Sequence, residues 1–169
     1  MLYFFKMQTM RKIDRQQNSD AALDIIAKAE YGVLSMVNTD GNPYAIPISP
    51  VLVGNTIYIH SSTVGTKLDS MARNNRVSLT CIGYTSLQPQ KFSTYYESAI
   101  AYGTAELVYN TEEKRIALEA IAKKYAPGFL QEASPYIAKR LDQTAVIRIT
   151  VSQVTAKAHV PPKEQGENV

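Results

Sequence analysis

An antiparallel β-barrel decorated by inserted helices is the fold class that this sequence predicts, and three observations predict it. Short strand-like runs follow one another in hairpin order, joined by tight turns such as Thr39-Asp-Gly-Asn42 and Gly54-Asn55. Helical periodicity interrupts them at irregular intervals and not after every strand, which argues against a doubly wound α/β sheet. Pro43, Pro47 and Pro50 fall inside one strand run. A residue without an N–H is tolerated there only at an edge, a strand start or a bulge, so that strand is bent or open along one side.

The chain has 169 residues, enough for one domain with a sizeable core plus appendages. We expect residues 1–10 to be an N-terminal extension, 11–158 the barrel domain and 159–169 a flexible tail. Hydrophobic residues (45%) outweigh charged ones (20%), the balance of a globular rather than a disordered chain. A net charge of +3 from scattered basic residues gives no footprint for nucleic acid. The lone cysteine, Cys81, lies in the run Val77 to Ile82 and reads as a buried, inert thiol. It excludes a disulfide framework within the chain and suits a reducing compartment. Met1 to Phe5 is apolar but too short for a signal-peptide core or a membrane span, and Lys6 interrupts it. The expected location is cytoplasmic, with no membrane partner.

The elements follow in order. Arg11 to Asn18 is a polar arm, and Asn18, Ser19 and Asp20 offer N-caps for a helix through Leu23, Ile25, Ile26 and Ala29. Tyr31 to Asn38 and Pro43 to Val53 form a hairpin about the Asp40-Gly41 turn. The bulged second strand leaves backbone groups free for a flat polar ligand, and a simple barrel corner explains the same bulge equally well. Thr56 to His60 is a strand. After a helix ending at Asn74-Asn75, which suits a left-handed stop, Arg76 to Tyr84 is a strand and Thr85 to Phe92 a loop. Tyr95 to Val108 alternates, with Glu97, Ala99, Ala101, Gly103 and Ala105 making an almost wholly small face that invites close packing. Thr111 to Tyr125 is a helix with the stripe Ala117, Leu118, Ile121 and Tyr125, and Ser134-Pro135 starts a shorter one. Thr144 to Lys157 closes the barrel, and the residues from Pro161 read as disordered.

The most informative stretch is Thr56 to Asn75, where a strand runs into a small-residue loop and the loop opens a helix. Thr66 and Asp69 have the Thr-x-x-acid spacing of an N-terminal cap, which puts Lys67 in the first turn. A lysine there opposes the helix dipole, an arrangement that makes sense beside a bound anion. Ser61, Ser62, Thr63, Thr66, Lys67 and the helix N-terminus together suit a phosphate. A solvated lysine on a capped surface helix explains the spacing at least as well.

The ordered set Glu30-Tyr-Gly-Val-Leu34, Gly41-Asn-Pro-Tyr-Ala-Ile-Pro47, Ile57-Tyr-Ile-His-Ser61, Gly65-Thr-Lys67, Tyr96-Glu-Ser98, Gly103 and Thr155-Ala-Lys157 resembles the pyridoxamine 5'-phosphate oxidase-like flavin-binding split-barrel family, most closely its nitroimidazole-resistance (Nim-type) branch. The resemblance covers roughly residues 10 to 158. It implies a homodimeric, antiparallel split barrel with FMN in a cleft at the subunit interface. Carried over by position, Ile46, Pro47, Ile48 and Ser49 lie along the isoalloxazine, and His60, Ser61 and Ser62 line its other contacts. Lys67 and Thr66 bind the phosphate, Ser98 approaches from the long strand, across the dimer in one arrangement, and Lys157 joins the pocket. Glu97 stands where relatives often have a basic residue, and the vitamin oxidase's own C-terminal substrate pattern is not apparent.

The function this implies is a flavin-dependent oxidoreductase, passing electrons from a reduced nicotinamide to a small aromatic or nitroaromatic acceptor. The cofactor is FMN, with FAD an open possibility where the pocket mouth faces solvent. His60 is a candidate proton or hydrogen-bond donor, and the competing role is a strand-end histidine satisfied by the backbone or holding the flavin in place. The alternative is a non-catalytic flavin- or haem-binding protein of the same fold, with His60 and His159 as its imidazoles. A metal site is not expected, because no metal-binding or Ser-His-acid motif stands out.

Overall fold

The computed structural model describes residues 10–161; the expected N-terminal extension, apart from Met10, and the tail beyond Pro161 lie outside the described residues. Within them the elements run β1 (Gln16–Gln17), α1 (Ser19–Lys28), β2 (Gly32–Val37), β3 (Pro43–Ile48), β4 (Val51–Val53), β5 (Thr56–Ser61), α2 (Thr66–Arg73), β6 (Arg76–Gln88), β7 (Ser93–Leu107), α3 (Thr111–Tyr125), α4 (Leu130–Arg140) and β8 (Ala145–His159). Local chemistry accounts for the early elements. The Asn18 side chain accepts from the Ala21 N–H and caps α1. The Asn38 side chain accepts from Asp40 and Asn42 at the β2–β3 turn, where Gly41 takes a φ of 85°.

All pairings are antiparallel, in the order β3-β2-β6-β7-β8-β5-β4, with β1 on β8. The two edges of this order, β3 and β4, are joined by Ser49-Pro50 alone. Seven strands laid flat would separate those edges by about 29 Å, whereas the three peptide steps from Ile48 to Val51 reach at most ~11 Å. The sheet therefore curls until its edges meet without pairing, which is a split barrel. The single strand expected over Pro43 to Val53 is thus two strands, broken at Ser49-Pro50. Pro43 and Pro47 stand at one phase of β3, the phase that faces an open edge without loss of ladder bonds.

Leu34, Ile57, Ile59, Leu79, Ile147 and Ile149 fill the barrel and are at most 1% exposed. The small face of β7 lets α1 close over it, burying Ala22, Ile25 and Ile26. At Gly103 the approach is so close that a Cβ would lie 2.1 Å from the Thr150 carbonyl oxygen. The register slips there, Ser152 is left over on β8, and its hydroxyl donates to the Tyr102 carbonyl at 3.1 Å.

Four further expectations are corrected. The first half of the loop expected over Thr85 to Phe92 is strand, because β6 continues its pairing with β7 out to Gln88↔Ser93; Pro89–Lys91 and Phe92, with φ 46°, make the turn. The second helix of the pair starts at Leu130, well before Ser134-Pro135. A tight turn over Pro127–Phe129 initiates it, and Pro135 is accommodated inside. Asn74 is extended (φ −146°), not left-handed, and its side chain accepts from the Arg76 N–H. The polar arm includes β1, which pairs with Ala156 and Lys157.

Candidate functional site

The site begins at the end of β5. Strand alternation turns Ile57, Ile59 and Ser61 inward, and Tyr58 and His60 outward. A buried serine hydroxyl needs a partner, and the Lys67 ammonium donates to Ser61 Oγ at 2.6 Å. The loop between them ends at Gly65, whose φ of 135° few side chains tolerate.

Gly65, not Thr66, is the N-cap of α2, so the expected Thr66–Asp69 capping box does not form. No side chain caps the helix, and Thr66 is its first residue. Ser70 Oγ instead donates to the Thr66 carbonyl at 2.6 Å. The helix N-terminus is therefore open, with Lys67 half-buried beside it and the Ser62 and Thr66 side chains exposed. Among the described residues Lys67 forms no ion pair. A positive helix end, an unneutralised cation and three hydroxyls are the donor set of a phosphate-sized anion.

The other expected site residues fall into separate groups. Ile46 and Ile48 pack half-buried against the core, Pro47 is exposed, and Ser49 stands at the β3–β4 corner. The α2 helix links this region to the end of β5, because the Arg73 guanidinium at its far end donates to the Thr39 carbonyl in the β2–β3 turn. Ser98 and Lys157 pair directly across β7 and β8. The Lys157 ammonium lies 5.9 Å from the Tyr96 ring centre. Burial opposes ionisation of the Tyr96 phenol, but hydrogen bonds from Arg15 and Lys157 hold it below its ordinary value. Ser61 pairs with Ala145, at the other end of β8 from Lys157. That separation is about 40 Å along the strand.

His60 faces away from Ser61, into a cavity of about 650 Å³ between β5, α3 and α4. Leu118, Ile121, Phe129 and Ile137 supply apolar walls, and Thr144 lies at the same end as His60. His159 is remote from it: its Nδ1 is 2.9 Å from the Thr94 carbonyl, and its ring packs edge-on to Tyr95.

Two residues near this region were legible only as helix-end charge, Lys124, and as part of the apolar stripe, Tyr125. Lys124 donates to the Ala29 and Pro50 carbonyls, both at 2.7 Å, and the Tyr125 hydroxyl donates to Pro50 at 2.6 Å. Together they fix the corner where the barrel splits. Burial pushes the Lys124 pKa down, and burial pushes the Tyr125 phenol up to about 12. The Cys81 thiol, fully buried next to them, is pushed up to about 11 by burial. The sequence signal was present only as Lys124 and Tyr125 at the end of α3; their partner carbonyls are 74 or more residues away.

Among the described residues no group of three or more His, Cys, Asp or Glu could hold a metal, and no helix is long and apolar enough to cross a membrane.

Comparison with known proteins gives a consistent frame. The sequence profile described as pyridoxamine 5'-phosphate oxidase matches residues 18–158. No curated protein gives a significant match. A solved structure from Bacteroides thetaiotaomicron, described as a 5-nitroimidazole antibiotic resistance protein, is 27% identical, with 83% of this chain and 84% of that one covered and a TM-score of 0.67. A Listeria innocua structure described as a pyridoxamine 5'-phosphate oxidase is also 27% identical, covering 80% and 94%, with a TM-score of 0.56. The FAD and haem binding protein of Mycobacterium smegmatis shares the fold, at 24% identity, 88% and 76% coverage and a TM-score of 0.74.

Proposed function

Because the chain belongs to the pyridoxamine 5'-phosphate oxidase family, we propose that it is an FMN-dependent oxidoreductase that passes electrons from a reduced nicotinamide to a small aromatic or nitroaromatic acceptor. The observation that carries this is the open N-terminus of α2, where Lys67, held by Ser61 at 2.6 Å, has no carboxylate to neutralise it among the described residues. Such a cradle fits the FMN phosphate, with Ser62 and Thr66 as further donors. The exposed loop at Val64 leaves room for the adenylate of FAD. When bound, the flavin supplies the electron transfer.

The chain's own residues would hold and orient it. Ile46 to Ser49, on the open edge of β3, run along the ring, and the Lys124–Tyr125 clamp on Pro50 keeps that edge in place. His60, exposed at the end of β5, either donates to the acceptor or steadies the flavin. For one flavin to meet both Lys67 and the Ser98–Lys157 pair, the two sets must come from different copies, since they stand at opposite ends of β8. That supports a homodimer with the cofactor between subunits, and the uncovered Val33, Val37, Ile82 and Tyr84 offer apolar surface for it. The relative described by nitroimidazole resistance supports the choice of acceptor.

A haem-binding role fits less well. His159 is already committed, with its Nδ1 2.9 Å from the Thr94 carbonyl and its ring packed edge-on to Tyr95. The direct test is anaerobic: FMN-loaded protein is mixed with NADH or NADPH and then with a nitroimidazole. Bleaching of the flavin followed by its recovery on adding the acceptor is the expected result. A flavin that neither nicotinamide reduces overturns the proposed donor, and one that the acceptor fails to reoxidise overturns the proposed reaction.

A further inference from the structure

The cavity between α3 and α4 is not explained by cofactor anchoring, because it lies on the opposite face of β5 from Ser61 and Lys67. From its geometry we infer that it is the chamber for the acceptor, and that it takes a neutral aromatic compound whose polar substituent lies at His60. The inference rests on the flavin reading above.

Three features carry it. The first is position: His60 lines the cavity and is followed by Ser61, while Thr144 lines it and is followed by Ala145, the residue paired with Ser61. The chamber and the anion cradle thus lie on the two faces of one strand end, and Ala126, which also lines the chamber, follows the Tyr125 that holds Pro50 beside Ser49 of the proposed ring edge. The second is lining: the walls are the apolar Leu118, Ile121, Phe129 and Ile137, and a volume of about 650 Å³ is of the size that small-molecule pockets have. The third is charge. One arginine, Arg140, and one carboxylate, Glu132, border the cavity. Arg140 already donates to Gln143 at 2.6 Å. The two charges sum to zero, so net charge favours neither an anionic nor a cationic ligand, and Gln143 and Thr144, which line the cavity with His60, can donate to a substituent such as a nitro group.

The test uses the full chain loaded with FMN, with nitrobenzene and 4-nitrobenzoate as probes. Ala133→Trp fills the cavity from α4, and Ala133→Leu does so more mildly if the larger side chain prevents folding. The expected results are a rise in the nitrobenzene KM of at least about tenfold in the tryptophan variant, FMN affinity and nicotinamide-driven flavin reduction unchanged, and a wild-type preference for nitrobenzene over the anionic probe. An unchanged nitrobenzene KM in a folded variant overturns the inference. So does parallel loss of FMN affinity, which would mean that the flavin itself fills the cavity. If wild-type protein binds no FMN, the flavin reading falls separately. The chamber is then judged by methyl NMR of the cofactor-free chain: shifts at Ile121 and Ile137 on adding nitrobenzene support it, and their absence overturns it.

Discussion

Replacing Lys67 with methionine keeps an unbranched apolar stem, one atom shorter, and removes the charge and donors, so its effect on flavin affinity measures the proposed phosphate contact. A hydrogen bond to a charged group is worth about 1.5–3 kcal/mol. Lys67 is half-buried, not fully enclosed, so screening favours the lower part of that range. FMN should therefore bind roughly ten- to fiftyfold more weakly in the variant. Riboflavin, which has the same ring and no phosphate, should bind wild type and variant alike. Titration by quenching of flavin fluorescence gives all four affinities. The variant also leaves Ser61 Oγ buried without its 2.6 Å donor, which costs about 1 kcal/mol of stability. Ser61→Ala in the same background removes that orphan and should restore stability without restoring FMN affinity. Equal losses for FMN and riboflavin, or no loss for either, would refute the assignment of Lys67 to the phosphate.

Other perturbations test the frame that positions the site. Gly103→Ala places a Cβ 2.1 Å from the Thr150 carbonyl, a clash between two backbones, and should destabilise by more than about 3 kcal/mol in denaturant unfolding. Gly41→Ala meets open space and is penalised only for its φ of 85°, so about 1 kcal/mol is expected. Tyr125→Phe removes one of the two donors on the Pro50 carbonyl and should cost about 1 kcal/mol while shifting the flavin absorbance or its affinity, because Ser49 is the next residue. The Cys81 thiol, ordinarily near 9.0 and raised to about 11, and the Tyr125 phenol, ordinarily near 10.0 and raised to about 12, both bind protons more tightly folded than unfolded. Their contributions are fully present below those ordinary values and are lost as pH rises through the folded ones. Thermal unfolding should therefore fall in temperature from about pH 9 upward, and a thiol reagent at pH 8 should label Cys81 only after denaturation.

Much of the fold was legible because it is encoded locally. Asn18, the Asp40-Gly41 turn and the α3 stripe each announce themselves within a few residues, and the structure forms α1, the β2–β3 hairpin and α3 there. What was not legible depends on distant partners. Nothing near Ser49-Pro50 says that β3 and β4 belong to opposite sheet edges; that follows from which strands each one pairs with. Thr85 to Gln88 reads as loop by composition, yet β7 supplies a ladder that overrides it. Thr66–Asp69 has capping-box spacing, but Gly65 takes the cap position one residue earlier. At the site, the closeness of Lys67 to Ser61 was readable from strand, loop and helix start. The cavity behind His60 was not, because its walls come from α3 and α4 and no local pattern says how two helices stack. The division of the expected residues between the two ends of β8 was likewise invisible before the register was known.

The most direct test of the central claim is the absorbance spectrum of the purified chain after incubation with FMN and removal of excess, with the released chromophore identified by mass. A flavin spectrum that yields intact FMN is the result this account predicts. A haem Soret band without flavin, or a colourless protein that takes up no FMN, would contradict it.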